Sequence, residues 1–244
     1  MFDPGWHKCV ERTVKVNASH PTTKVVASFA ALPVAPAEVE GTLTAVVVLT
    51  PMSTDDIDPV GTETTEHENA LQDVVAVDEN DDPEGTVNRL DAHTGEGIRH
   101  RAFTVLVFDG QDNVLLARRA PNKRLWDTYW DGTVASHPVE GQTQTEATRQ
   151  RLEDELGVTP GQYSDLRVTD KFEYKRYYMN EGLEWEVCSV LKCTLDAGGL
   201  DPDEEEVAGL MWVPYGRLND NPRWYRQLRL CPWFEMAMRR DFEE

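Results

Sequence analysis

From Asp73 onward the chain breaks into short apolar runs that repeat every second residue, the mark of β-strands. They cover residues 74–77, 86–90, 102–108, 114–117, 172–178, 186–193 and 210–213. The clusters Asn80-Asp81-Asp82-Pro83 and Asp109-Gly110-Gln111-Asp112 are turn formers between them. Two stretches follow a helical period instead. Residues 143–156 have a Thr-rich start, helix formers through the middle and Gly157 as a stop, and residues 222–242 are amphipathic with arginine near the end. Strands flank the first helix on both sides, which places the chain in the α/β or α+β class with one mixed sheet. No internal repeat is visible.

Ahead of this pattern the composition changes. Residues 1–51 hold four acidic and four basic side chains among many Ala, Val, Pro and Thr, whereas nearly all the excess negative charge follows Met52. Residues 53–72 are too polar to bury a core of their own. We read residues 1–72 as a poorly ordered extension, with Met52 as the natural start. The rival reading is an accessory strand or two around 44–49. The folded domain is then 73–244, one core of ordinary size.

Charge narrows the partners. With 24 basic against 44 acidic residues the net charge is -20, and there are only seven lysines beside seventeen arginines. Such a surface of hydrated carboxylates keeps a protein soluble in concentrated salt, and it repels nucleic acid and anionic membranes. An anionic ligand therefore needs a local cationic cluster. Cys9, Cys188, Cys193 and Cys231 show no CxxC spacing and read as reduced and mostly buried. The longest apolar run near the start, residues 43–49, falls far below the ~20 residues that span a bilayer. Nor does the N-terminus show a basic segment followed by a long apolar core, so a cytoplasmic protein is expected. Oligomeric state is left open, since no apolar stripe stands out.

The chemistry-bearing residues are scattered. His93 and His100 are seven apart around a Thr-Gly-Glu-Gly turn, and His137 precedes Pro138 after a Trp-rich segment. Glu184 and Glu186 are two apart at a strand start, so both project from one face. Three imidazoles and two carboxylates suit a divalent ion such as Mn, Zn or Mg in roughly octahedral geometry. Taken singly, each histidine reads as a surface or hydrogen-bonded residue, and spacing alone does not bring the five together.

Seven ordered motifs carry a family resemblance: His93-x6-His100-x-Ala102-Phe103, Arg118-Arg119 with Lys123, Trp126-x3-Trp130, Ser136-His137-Pro138, Arg151-x3-Glu155-Leu156-Gly157, Glu184-x-Glu186-Val187-Cys188 and Pro232-Trp233. From about Asp73 to Phe242 the chain resembles type I isopentenyl-diphosphate isomerase, an enzyme with the Nudix fold. The resemblance implies a Nudix-type mixed sheet sandwiched by helices. It also implies a metal held by His93, His100, His137, Glu184 and Glu186. A Mg ion carried by the substrate diphosphate would be held by Glu155, and the diphosphate gripped by Arg89, Arg119, Lys123 and Arg151. The implied reaction shifts a carbon-carbon double bond of a prenyl diphosphate, with Glu186 and Tyr174 handling protons and Trp233 facing the carbocation. Independently of any family, Arg151 and Glu155 lie one helical turn apart, which suits either a phosphate-and-Mg contact or an ordinary salt bridge.

One position departs from the family. Its second acid/base cysteine stands two residues before the metal histidine, where this chain has Ala135, and Ser136 replaces a glycine. Alanine carries no proton, and a serine hydroxyl titrates too high to replace a thiol unless activated. Three functions remain open: isomerase, Nudix-like hydrolase of a prenyl or nucleoside diphosphate, and a non-catalytic prenyl-diphosphate-binding protein. The hydrolase signature G-x5-E-x7-R-E-U-x-E-E-x-G-U is degraded here to Ser136, Gln142 and Gln150-Arg151-Leu152-Glu153-Asp154-Glu155-Leu156-Gly157-Val158, with its central Glu replaced by Arg151. The isomerase reading comes first.

Overall fold

The computed structural model describes residues 72–196, 199–220 and 226–243. The N-terminal extension, its rival strands at 44–49 and the start at Met52 lie outside the described residues. Strands β1 (Asp73–Val77) and β2 (Pro83–Asn88) form a hairpin. The Asp78 carboxylate closes its turn by accepting the N–H groups of Asn80 and Asp82 at 2.8 and 2.9 Å. The strand expected over 86–90 ends two residues early. The Asn88 side chain accepts the Leu90 N–H at 2.9 Å and starts a single helical turn, α1 (Arg89–Ala92).

The centre of the sheet is β3 (His100–Phe108), paired in parallel with β8 (Gly182–Leu195). Alternation along β3 explains its nearly continuous apolar run. Phe103, Val105 and Val107 enter one core with Leu152 and Leu156, while Ala102 and Leu106 enter another with Trp233, Phe234 and Met238. The first core lies under α2 (Gln144–Leu156). Thr143 caps α2 in a reciprocal capping box with Glu146, and Gly157 ends it in the left-handed conformation, φ 65°. Around β3 lie β4 (Asn113–Arg119), the two short strands β5 (Trp130–Asp131) and β6 (Val134–Ser136), the long β7 (Tyr163–Tyr178) and β9 (Val207–Pro214). Strand β8 pairs β7 on its other side, and β9 pairs β4.

One expectation needs correcting. Residues 222–242 are not one helix, for residues 226–228 form a tight turn and the helix α4 (Pro232–Glu243) starts afresh at a proline. Proline suits a first helical position because its missing N–H has no partner there anyway. A short α3 (Tyr215–Asp220) follows β9 and was not foreseen. Helix α4 covers the second core, so the mixed sheet carries a helix on each face. Cys188, Cys193 and Cys231 are free and buried. Among the described residues no helix is long and apolar enough to cross a membrane.

Candidate active site

Register across three strands builds the centre. Tyr174 on β7 pairs with Glu186 on β8, and Glu186 pairs with His100 on β3, so the three side chains stand in a row on the α4 side of the sheet. Glu184 shares that face two residues earlier. His93 arrives from the end of α1, where its N–H reaches back to the Arg89 carbonyl. The start of β8 presses against it, with the Leu183 N–H donating to the His93 carbonyl at 3.1 Å. Gly182 makes that approach possible, since a Cβ there would stand 2.5 Å from the His93 carbonyl oxygen. His137 follows β6, whose pairing with β3 places it beside His100, ring centroids 4.9 Å apart.

His93, His100, His137, Glu184 and Glu186 each offer a ligand atom, all within 4.8 Å of one another, and all five side chains are buried. His93 Nε2 lies 2.6 Å from Glu184 Oε2, and His137 Nε2 lies 2.9 Å from Glu186 Oε1. The Nδ1 atoms of His93 and His100 lie 2.6 and 2.7 Å from the carbonyls of Arg89 and Ile98, which turns each Nε2 toward the cluster. His100 Nε2 and His137 Nδ1 are buried with no hydrogen-bond partner. Buried ring nitrogens with no protein partner suit cation ligands, and the His3Glu2 donor set suits a divalent metal.

The electrostatics agree. Burial lowers the His93 pKa, but the Glu184 carboxylate outweighs it and pushes the group up to about 10. Burial opposes the charged form of Glu186, yet the imidazoles of His100, His137 and His93 gathered around it hold it well below the usual carboxylate range. Tyr174 Oη donates to Glu186 Oε2 at 2.5 Å, and its own pKa is raised by burial and by the carboxylates around it.

Next to this centre opens a cationic pouch, lined by Arg89, Arg119, Lys123 and Arg151 together with Glu155, Glu206, Ala135 and Ser136. Lys123 is held against Glu206, and Arg151 sits 2.7 Å from Glu155 and 3.5 Å from Glu206. Burial, with Glu206 adding and Arg151 opposing, pushes Glu155 up to about 7. Arg119 is partly committed to the backbone, donating from Nε to the Trp126 carbonyl at 3.0 Å and from Nη2 to the Leu125 carbonyl at 3.1 Å. Trp233 is not part of the pouch lining. It lies behind it, buried, in edge contact with Trp126 at 5.3 Å and 6.4 Å from the Tyr174 ring. Gly132 allows this packing, for a Cβ there would stand 3.3 Å from Phe234 and 3.1 Å from the Val105 carbonyl.

Ala135 is half-buried, opposite Thr104 on β3, and reaches both the pouch and the core that holds Trp233. Two site carboxylates escaped the reading of the sequence. Glu206 is the last residue of the run Asp201-Pro202-Asp203-Glu204-Glu205-Glu206, which looks like solvated surface. Asp131 stood in the motif-rich stretch with no role assigned.

Comparison with known proteins decides the family. A Nudix domain profile matches residues 98–234. A protein of Haloarcula marismortui named isopentenyl-diphosphate Delta-isomerase is 70% identical over 79% of this chain and 100% of its own. The chain belongs to the Nudix isopentenyl-diphosphate Delta-isomerase family. A member of that family from Halobacterium salinarum is 67% identical over 72% of this chain and 83% of its own. The isomerase of Photorhabdus laumondii is 34% identical over 57% of this chain and 78% of its own. Among solved structures, DR0079 from Deinococcus radiodurans matches with a TM-score of 0.56 at 21% identity, covering 69% of this chain and 98% of that one, which speaks for the Nudix fold alone. In this isomerase family member the histidines and glutamates of the cluster fall where the sheet register demands.

Proposed function

We propose that this protein converts isopentenyl diphosphate into dimethylallyl diphosphate. The observation that carries the reading is the buried His3Glu2 cluster beside a pouch that Arg89, Arg119, Lys123 and Arg151 help to line, in a chain 70% identical, over 79% of its length, to a protein named for that reaction. Alkenes are very weak bases, so a proton must be delivered by a strong acid in a site that excludes water. Glu186 and Tyr174, 2.5 Å apart and both buried, form a unit that can hold and move one proton. Protonation at the terminal alkene carbon leaves a tertiary cation, and loss of a proton from the neighbouring methylene forms the new double bond. The buried Trp233 ring offers such a cation a face worth ~2 kcal/mol or more once water is excluded.

His93, His100, His137, Glu184 and Glu186 would hold the divalent ion, whose charge supplies acidity to the proton-handling carboxyl. Arg89, Lys123, Arg151 and Arg119 would bind the diphosphate, and Glu155 the Mg that accompanies it. In the free protein Lys123 and Arg151 rest on Glu206 and Glu155, so the diphosphate meets cations already gathered and oriented. The hydrolase reading finds less support: Arg151 stands at the central box carboxylate and is itself paired with Glu155.

Purified protein with Mg and isopentenyl diphosphate in concentrated salt is expected to yield an acid-labile allylic diphosphate with no release of phosphate. Orthophosphate or pyrophosphate without isomer would move the assignment to a hydrolase. No product of either kind would leave a binding protein. We take Ala135 to stand at the family's cysteine position, so that Glu186 and Tyr174 carry the proton work without a thiol opposite. Ala135→Cys is then expected to raise turnover by up to about 10²-fold, the lower end of what one placed acid/base group contributes. An unchanged or lower rate would mean that another residue already fills the role.

A further inference from the structure

Asp131 is a carboxylate with 3% of its surface exposed, at the end of β5 between the pouch and the aromatic core. Its Oδ1 accepts the indole N–H of Trp233 at 2.8 Å and the Gly132 N–H at 2.7 Å. The Cys231 side chain lies close by, and Asp131 Oδ2 lies 3.6 Å from Arg119 Nη1. Arg119 in turn stands over the Trp233 ring, 5.4 Å from the centroid. Burying a carboxylate is unfavourable, and packing alone requires only a neutral acceptor for an indole N–H. A full charge at that place has its largest consequence for the ring it touches.

We propose that Asp131 is a positioning residue that fixes the Trp233 indole and, through the N–H, makes its ring more attractive to a cation. An indole whose N–H points at a carboxylate has more negative charge on its face, and that face is what a developing tertiary cation meets. The charge of Arg119 beside the ring would otherwise repel the same cation, and Asp131 offsets it. This inference rests on the isomerase reading.

The test compares two diphosphates of one shape, measured by calorimetry on the full chain with its metal. One carries a tertiary ammonium where the cation forms, the other an uncharged branched carbon. Analogues that resemble the transition state bind more tightly than ground-state ones, so wild-type protein is expected to prefer the ammonium. Asp131→Asn keeps an acceptor for the indole N–H and removes the charge. It is expected to cut that preference at least tenfold, leave the neutral compound within about threefold, and lower kcat while KM barely moves, a split that a purely structural loss would not give. In a Trp233→Phe background the same substitution is expected to do nothing further. An ammonium preference that survives Asp131→Asn overturns the inference, as does an equal effect in the Trp233→Phe background. A second measurement needs no substitution at 131: in ¹⁵N-labelled wild-type protein the Trp233 indole proton, assigned by its loss in Trp233→Phe, should lie downfield of the other indoles apart from Trp185, whose N–H also donates to a carboxylate, Glu173 Oε1 at 2.9 Å. A position among them overturns the inference too. Failure of the isomerase reading shows separately, as absence of allylic product from the wild type.

Discussion

Glu186→Gln lowers turnover by about 10³-fold, within the range of about 10²–10⁴ that a placed proton-transfer group contributes. Glu186 is the side chain on which the whole row converges. Oε2 accepts from Tyr174 at 2.5 Å, and Oε1 lies 2.9 Å from His137, 3.6 Å from His100 and 3.8 Å from His93. The amide has nearly the same shape but carries no transferable proton, and it presents N–H groups where an acceptor is required. Tyr174→Phe removes only the hydroxyl partner, so its loss is expected to be smaller, about tenfold, because the carboxyl itself remains. Initial rates with radiolabelled isopentenyl diphosphate measure both, and far-UV circular dichroism checks that the variants fold. A Glu186→Gln enzyme within tenfold of wild type would remove this carboxylate from the proton transfer.

Stripping the protein with a chelator abolishes activity and lowers the melting temperature by about 10 °C. The cluster holds two carboxylates and three imidazoles, all buried within 4.8 Å, two of whose ring nitrogens have no hydrogen-bond partner. An ion bound at ~1,000 times its dissociation constant stabilises the folded state by ~4 kcal/mol. For a domain of this size each kcal/mol moves the melting temperature by ~2–4 °C. Without the ion a proton on His93 partly compensates, since Glu184 holds that group up to about 10 against the effect of burial. Metal binding must therefore displace a proton, and the metal-dependent gain in stability is expected to be largest at alkaline pH and to shrink as pH falls. Scanning calorimetry before and after adding back Mn, Zn or Mg reads the shift. His100→Ala should abolish it, and a melting temperature indifferent to chelator and metal would mean that the cluster does not hold an ion.

Much of the domain was legible from its pattern. The runs at 102–108, 186–193 and 210–213 became strands because alternation exposes one face at a time, and the helix at 143–156 announced both of its ends through Thr143 and Gly157. Shorter elements were not legible. Strands β5 and β6 hold two and three residues, too few for the alternation to repeat, and they exist because neighbouring strands offer hydrogen bonds. The amphipathic pattern of 222–242 hid the break before Pro232, for periodicity does not record where a chain leaves one helix and enters another. Leu90, apolar at a strand's edge, went instead into the turn that Asn88 nucleates.

The sequence by itself determined the class, the acidic surface, the family and the inventory of donors, since each depends on residue type and local order. Whether His93, His100, His137, Glu184 and Glu186 meet was decided only by tertiary structure. Their convergence follows from the parallel register that sets His100 beside Glu186, and from a glycine at 182 that lets the backbone of His93 come close. Asp131 and Glu206 make the same point from the other side. A carboxylate's charge is written in the sequence, but whether it dissolves in water or sits against an indole or a lysine depends on which distant segments exclude the solvent around it.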